Sequence, residues 1–112
     1  MINWSLLTRE EQIQEIVEES KQAPVVIFKH STSCSISATA KGRLERQWAD
    51  NNIAAKPYYL DLLAYRPISN QLARTFAIAH ESPQLLLIRD GICVYDASHL
   101  GIRLDEVKKH LA

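Results

Sequence analysis

The chain is poor in the residues that announce many function classes. It has two cysteines 59 positions apart, three glycines and four prolines in 112 residues. Two cysteines do not make the disulfide scaffold of a small secreted domain. Together with scattered histidines they show no metal-ligand spacing, so no metal site is expected. Charge of one sign is not in excess either: thirteen Lys and Arg balance thirteen Asp and Glu. That balance argues against a general nucleic-acid or anionic-membrane binder. No apolar run approaches the roughly 18 to 20 residues needed to span a bilayer. The opening "MINWSLLTREEQ" turns acidic where a signal peptide would run basic and then apolar. Phosphate loops, dinucleotide fingerprints and hydrolase elbows are missing as well. These absences point to a cytoplasmic protein with reduced thiols.

What is present suits one globular domain over residues 1–112, with 46% hydrophobic and 23% charged residues. Thr8 to Glu11 reads as a capping box, and Ile13, Ile16 and Val17 give the following helix an apolar stripe to about Gln22. "PVVIFKH" is apolar on both faces, as a central parallel strand is. A helix is expected from about residue 34 to 50, with Ile36, Ala40, Leu44 and Trp48 buried and Gly42 costing it about 1 kcal/mol. "KPYYLDLL" is a strand, and Ser69 caps a helix bearing Leu72, Ala73 and Phe76. Strands 84–89 and 92–97 are joined by Asp90-Gly91, a strong hairpin signal, and a last helix starts near Leu104. The order α-β-α-β-α-β-β-α predicts an α/β domain: a four-stranded mixed sheet with helices on both faces, thioredoxin-like in architecture.

Within that frame "HSTSCSISATAKGRLERQW" carries the chemistry. Cys34 ends a strand-to-helix loop and opens the helix, where unpaired amides and the helix dipole favour thiolate over thiol. Its neighbours Ser31, Thr32, Ser33, Ser35 and Ser37 are small and polar, unlike the surroundings of a structural buried thiol. Ser82-Pro83 precedes the third predicted strand, across from that helix start, and is a candidate cis bond beside an extended substrate. Ser37 stands where a second cysteine would complete Cys-x-x-Cys. A serine can hydrogen-bond a thiolate but cannot form the resolving disulfide, so resolution needs an external thiol. Cys93, in the last predicted strand, is expected to be buried beside Ile92 and Val94 and not to resolve. Lys29, His30 and His99 are candidates to approach the rim and meet carboxylates of a small thiol or a substrate protein, Lys29 and His99 foremost.

"FKHSTSCSIS", "LDLLAYRPISNQLA", "HESPQ" and "DGICVYDASH" together resemble the bacilliredoxin-like YtxJ family, in order and over essentially the whole chain. The resemblance implies a thioredoxin-like fold and a monothiol Cys-x-x-Ser site. It implies removal of a low-molecular-weight thiol such as bacillithiol from mixed disulfides on S-thiolated cytoplasmic proteins. That small thiol is the co-substrate, and no further cofactor is implied. The family's reactive cysteine falls on Cys34, its Ile-Ser pair on Ile36 and Ser37, and its Ser-Pro on Ser82 and Pro83. Ser35 stands where the family usually has proline, adding an N–H and a hydroxyl near the sulfur. The expected site therefore comprises Cys34 and Ser37 for catalysis, with Ser33, Ser35, Ser82, Pro83, Lys29 and His99 binding substrate. Two other readings remain: a glutaredoxin-like carrier of an iron–sulfur cluster shared between protomers, and a redox-sensing adaptor whose Cys34 is itself modified. Arsenate-reductase chemistry fits less well, because the first arginine after Cys34 is Arg43, well inside the helix.

Overall fold

The computed structural model describes residues 2–31, 35–51 and 53–111. In chain order it contains β1 (Ser5–Leu6), α1 (Glu11–Glu19), β2 (Val25–His30), α2 (Ser35–Asn51) and β3 (Lys56–Asp61). There follow α3 (Arg66–Phe76), β4 (Gln84–Arg89), β5 (Ile92–Ser98), a single 3-10 turn (His99–Gly101) and α4 (Leu104–Leu111). The sheet has five strands, in the order β1-β3-β2-β4-β5, and not the expected four. The additional strand, β1, pairs parallel with β3, Ser5 opposite Tyr58 and Leu6 opposite Tyr59. Two residues are too few to show an alternation, which is why pattern reading passes over them. β2 and β3 run parallel, joined by α2, while β4 is antiparallel to β2 and β5 to β4. The thioredoxin-like α/β arrangement holds.

β2 is buried at all six positions, and its alternation divides the core in two. Val25 and Ile27 join Ile13 and Ile16 of α1 and Ile68, Leu72 and Phe76 of α3. Val26 and Phe28 join Ala40, Leu44 and Trp48 of α2 and Leu104 and Val107 of α4. The next two residues inherit the same parity. Lys29 is directed to the α1/α3 side and His30 to the α2 side.

Several local expectations are corrected by packing. The box at the start of α1 is closed by Gln12, not Glu11: its Oε1 accepts from the Thr8 and Arg9 amides at 2.8 and 2.9 Å. Ser69 does not cap α3. Tyr65 precedes the helix, Pro67 lies in its first turn and Ser69 is buried inside it. In α2 the buried stripe is Ser37, Ala40, Leu44 and Trp48, and Ile36 is 53% exposed. A strict i+4 series drifts by about 40° per step, so three steps back from Trp48 rotate Ile36 about 120° off the core. The i−3 step from Ala40 lands on Ser37 instead.

The hairpin turns as expected. Asp90 and Gly91 have φ of 53° and 76°, the pair of positive values a two-residue turn of this type needs. Its outer side is held by Ser20, whose carbonyl accepts from the Asp90 amide and whose Oγ accepts from the Gly91 amide, at 2.9 and 2.8 Å.

Candidate active site

The carboxyl end of β2 brings the expected elements together. Lys29 is opposite Gln84 in the ladder, so His30 and Pro83 are the next residues outward on neighbouring strands. α2 then starts at Ser35. Cys34 and Ser33 lie outside the described residues, as does any contact they make. Ser31 and Ser35, the described residues on either side of positions 32–34, both stand at this end of the sheet.

Ser37 is completely buried, and its hydroxyl is the hub of the junction between β2 and α2. Its Oγ is 2.6 Å from His30 Nδ1 and accepts the Ser31 amide at 3.1 Å. The Oγ–Nδ1 contact is a hydrogen bond in either imidazole tautomer, because the hydroxyl can donate to Nδ1 or accept from it while also accepting the Ser31 amide. His30 is held below its ordinary pKa, first by burial and then by the nearby Lys41 charge. Its ring lies between Phe28 and Tyr59, with centroids 6.0 and 5.6 Å away. Sequence reading places His30 at the rim as a carboxylate contact; it is instead 6% exposed and turned toward Ser37 of α2. The parity of β2 was the signal that only His30, of the Lys29–His30 pair, can face α2.

Lys29 is not at the rim. It is completely buried, with Nζ 3.3 Å from Ser69 Oγ and 3.1 Å from His80 Nδ1. Burial pushes its ammonium down to about 8, against the attraction of Glu81. It is withdrawn from carboxylate recognition and ties β2 to α3 and to the segment before Pro83. Gln84 ties the same segment from the other side: Nε2 donates to the Ala79 carbonyl at 3.0 Å and Oε1 accepts the Glu81 amide at 3.3 Å. Ser82 follows directly, and the Ser82–Pro83 bond is cis. Ser82 Oγ is buried and has no hydrogen-bond partner among the described residues. The Pro83 carbonyl accepts the His99 amide at 3.1 Å, which brings the 3-10 turn to the same end of the fold.

His99 meets the helix start there. With Ser35, Ile36, Thr39, Ala40, Arg43 and Leu100 it lines a cavity of about 150 Å³. Ser35 and His99, separated by 64 positions in the chain, are thus neighbours across one opening. Cys93 is elsewhere. It pairs with Ile88, which pairs with Val25 at the start of β2, so it sits at the opposite end of the sheet. Its thiol donates to the Tyr95 carbonyl at 3.4 Å. Burial, then the charge of Asp96, pushes it up to about 11. Its flanking residues were expected to be buried with it, but Ile92 and Val94 face outward on the edge strand.

Residues 5–107 match the family model described as monothiol bacilliredoxin, BrxC. The chain belongs to that family. Solved structures agree on the fold. A protein described as having a thioredoxin fold and provisionally as an oxidoreductase superposes with a TM-score of 0.81 at 28% identity, over 93% of this chain and 89% of that one. Mitochondrial thioredoxin 3 from Saccharomyces cerevisiae gives a TM-score of 0.72 at 14% identity, over 96% and 92% of the two chains. Thioredoxin from Plasmodium falciparum gives 0.73 at 10% identity, over 98% and 100%. At those low identities the two thioredoxins speak for the fold alone. This bacilliredoxin is a thiol oxidoreductase on a thioredoxin fold. No helix among its described residues is long and apolar enough to cross a membrane.

Proposed function

We propose that the protein removes a low-molecular-weight thiol, bacillithiol or a close relative, from mixed disulfides on cytoplasmic proteins. The Cys34 thiolate attacks the small-thiol sulfur of the mixed disulfide. A new disulfide joins Cys34 to the small thiol, and the substrate protein leaves as a thiolate that takes up a proton. A second small-thiol thiolate then attacks the sulfur held on Cys34, leaving as a small-molecule disulfide and returning Cys34. The two electrons that reduce the substrate protein come from that second thiol, and no other cofactor takes part. Ser35, Ser82 and Pro83 border the bound disulfide, with His99 beside them.

The observation that supports an external resolving thiol is the burial of Ser37 in a fixed hydrogen-bond pair with His30. One helical turn on from Cys34, the chain holds a side chain that cannot form a disulfide. Cys93, at the far end of the sheet with its thiol proton held, offers no substitute.

The test is intact mass after incubation with bacillithiol disulfide, in wild type, Cys34→Ser and Cys93→Ser. A single adduct on wild type and Cys93→Ser, released only by free thiol, is expected. Release of small thiol from an S-thiolated protein by the Cys34→Ser variant would overturn the reading, and so would an internal disulfide in the wild type.

A further inference from the structure

A groove extends along α2 from Ser35, the position after Cys34, and no side chain among the described residues fills it. At the helix start is the cavity that contains Ser35, Ile36 and His99. A second cavity, of about 380 Å³, continues past Gln47 and Asn51 to Arg103 and Asp105. Arg43 and Leu100 line both. The first part is largely apolar, with Ile36 and the 80% exposed Leu100 at its lip. The second part is polar.

Arg43 stands at the join. Its Nη2 donates to the Ile102 carbonyl at 3.0 Å, which fixes the guanidinium and leaves most of its N–H groups unused. Among the described residues no carboxylate pairs with it. Arg9 and Arg103 are instead held by Glu15 and Asp105, at 3.7 and 2.8 Å. Asp105, the one acid among the described residues that line the groove, is thereby paired, and the uncompensated charge among them is the Arg43 guanidinium. The first turn of α2 contains no acid, so the positive end of the helix adds to it. A fixed, half-buried, unpaired guanidinium facing a cavity is built for a carboxylate, which it can grip with two parallel N–H bonds. From Ser35 to Arg43 the helix rises about 12 Å. The Arg43 side chain lines the same cavity as Ser35, so part of that span is bridged.

We infer that the α2 groove is the binding site for the non-reacting part of the small thiol, a molecule of about tripeptide size carrying a carboxylate, with Arg43 as its anchor. This rests on the exchange reaction proposed above and names the specificity of the same site. An apolar lip for the body of the ligand and one cation for its acid would let the protein prefer an acidic small thiol over a neutral one.

The experiment compares two disulfides of one peptide backbone, glutathione disulfide and the disulfide of glutathione diethyl ester, whose carboxylates are masked as esters, by the rate of adduct formation on Cys34. Wild type is expected to react about tenfold faster with the acid, and 0.5 M salt should shrink that ratio. In Arg43→Ala the ratio should fall close to one, and Arg43→Lys should keep part of it. A thermal melt of each variant verifies the fold. A wild-type ratio near one, or a folded Arg43→Ala protein with the ratio intact, overturns the inference while leaving exchange at Cys34 standing. If neither disulfide labels Cys34, exchange is judged with bacillithiol disulfide, and the exchange reading fails if that leaves no adduct either. The groove is then judged by titrating Cys34→Ser with S-methylglutathione and following backbone amide signals. Shifts at Thr39, Arg43 and Leu100 would support it, and shifts elsewhere or none would sink it.

Discussion

His30 Nδ1 and Ser37 Oγ stand 2.6 Å apart in a site closed to solvent, and the Ser31 amide shares the same oxygen. One hydroxyl thus joins the end of β2, the loop that follows and the first turn of α2. Removing it takes a buried hydrogen-bond partner from His30 Nδ1 and one contact from the Ser31 amide. Ser37→Ala should cost about 1–3 kcal/mol in urea unfolding. Ser37→Cys tests the chemistry. It restores a dithiol Cys-x-x-Cys, and mild oxidation should then yield a protein two hydrogens lighter in intact mass. The small-thiol adduct should no longer accumulate. A stable adduct on the folded Ser37→Cys protein would mean that position 37 does not control resolution.

His30 also makes stability depend on acid. Its pKa is lowered in the folded protein, by burial first and by Lys41 second, with Asp61 and Glu45 opposing. A lowered histidine pKa means that, once pH falls below the ordinary histidine value, the unfolded chain binds a proton that the folded chain refuses. Stability should therefore decline from pH 7 toward pH 5. His80, lowered by burial and by Lys29, contributes in the same direction. Urea midpoints measured across that range should give a shallower slope for His30→Phe than for wild type. An unchanged slope would remove His30 from the account, whatever the offset between the two curves.

Lys29 works in the alkaline range. Its folded pKa of about 8 lies below the ordinary lysine value, so the ionised form is the costly one. From about pH 8 up to the ordinary value, the folded chain has shed a proton that the unfolded chain still holds. Stability should rise with pH over that window. At pH 7 the full cost is present. Lys29→Met removes it and leaves Ser69 and His80 paired with each other at 3.3 Å. The variant should gain about 1 kcal/mol or more at pH 7, and the gain should shrink by pH 9. A variant less stable than wild type at pH 7 would mean that the ties made by Lys29 outweigh its desolvation.

The elements set by local chemistry were legible before any coordinates. Asp90-Gly91 specifies its own turn, and the doubly apolar β2 specifies its central place. The positions that were misread depend on partners distant in the chain. Ile36 and Ser37 differ by one residue, and only the packing of Ala40, Leu44 and Trp48 against β2 and α4 decides which of them turns inward. Lys29 carries a charge that composition assigns to the surface, but strand parity takes it inside, beside Ser69 and His80. Ser69 has the residue type of a helix cap and is used as a buried partner instead. Arg43 was legible only as the first arginine after the cysteine. Its lack of a counter-charge and its place between two cavities depend on Ile102 and Leu100, some 60 residues later in the chain.

The two-residue strand β1 has a consequence for solubility. Without it β3 would be an edge, offering a row of unpaired N–H and C=O groups from Lys56 to Asp61 to any other extended chain. Ser5 and Leu6 cover part of that row, and the Leu7 amide adds a bond to the Tyr59 carbonyl at 2.9 Å. Trp4 holds the segment in place by donating from Nε1 to Glu45 Oε2 at 2.8 Å and by stacking near Phe28. Residues 2–7 thus close an otherwise open sheet edge against strand-to-strand pairing, and a chain trimmed to begin at Thr8 would expose that edge together with the core places of Ile2 and Leu7.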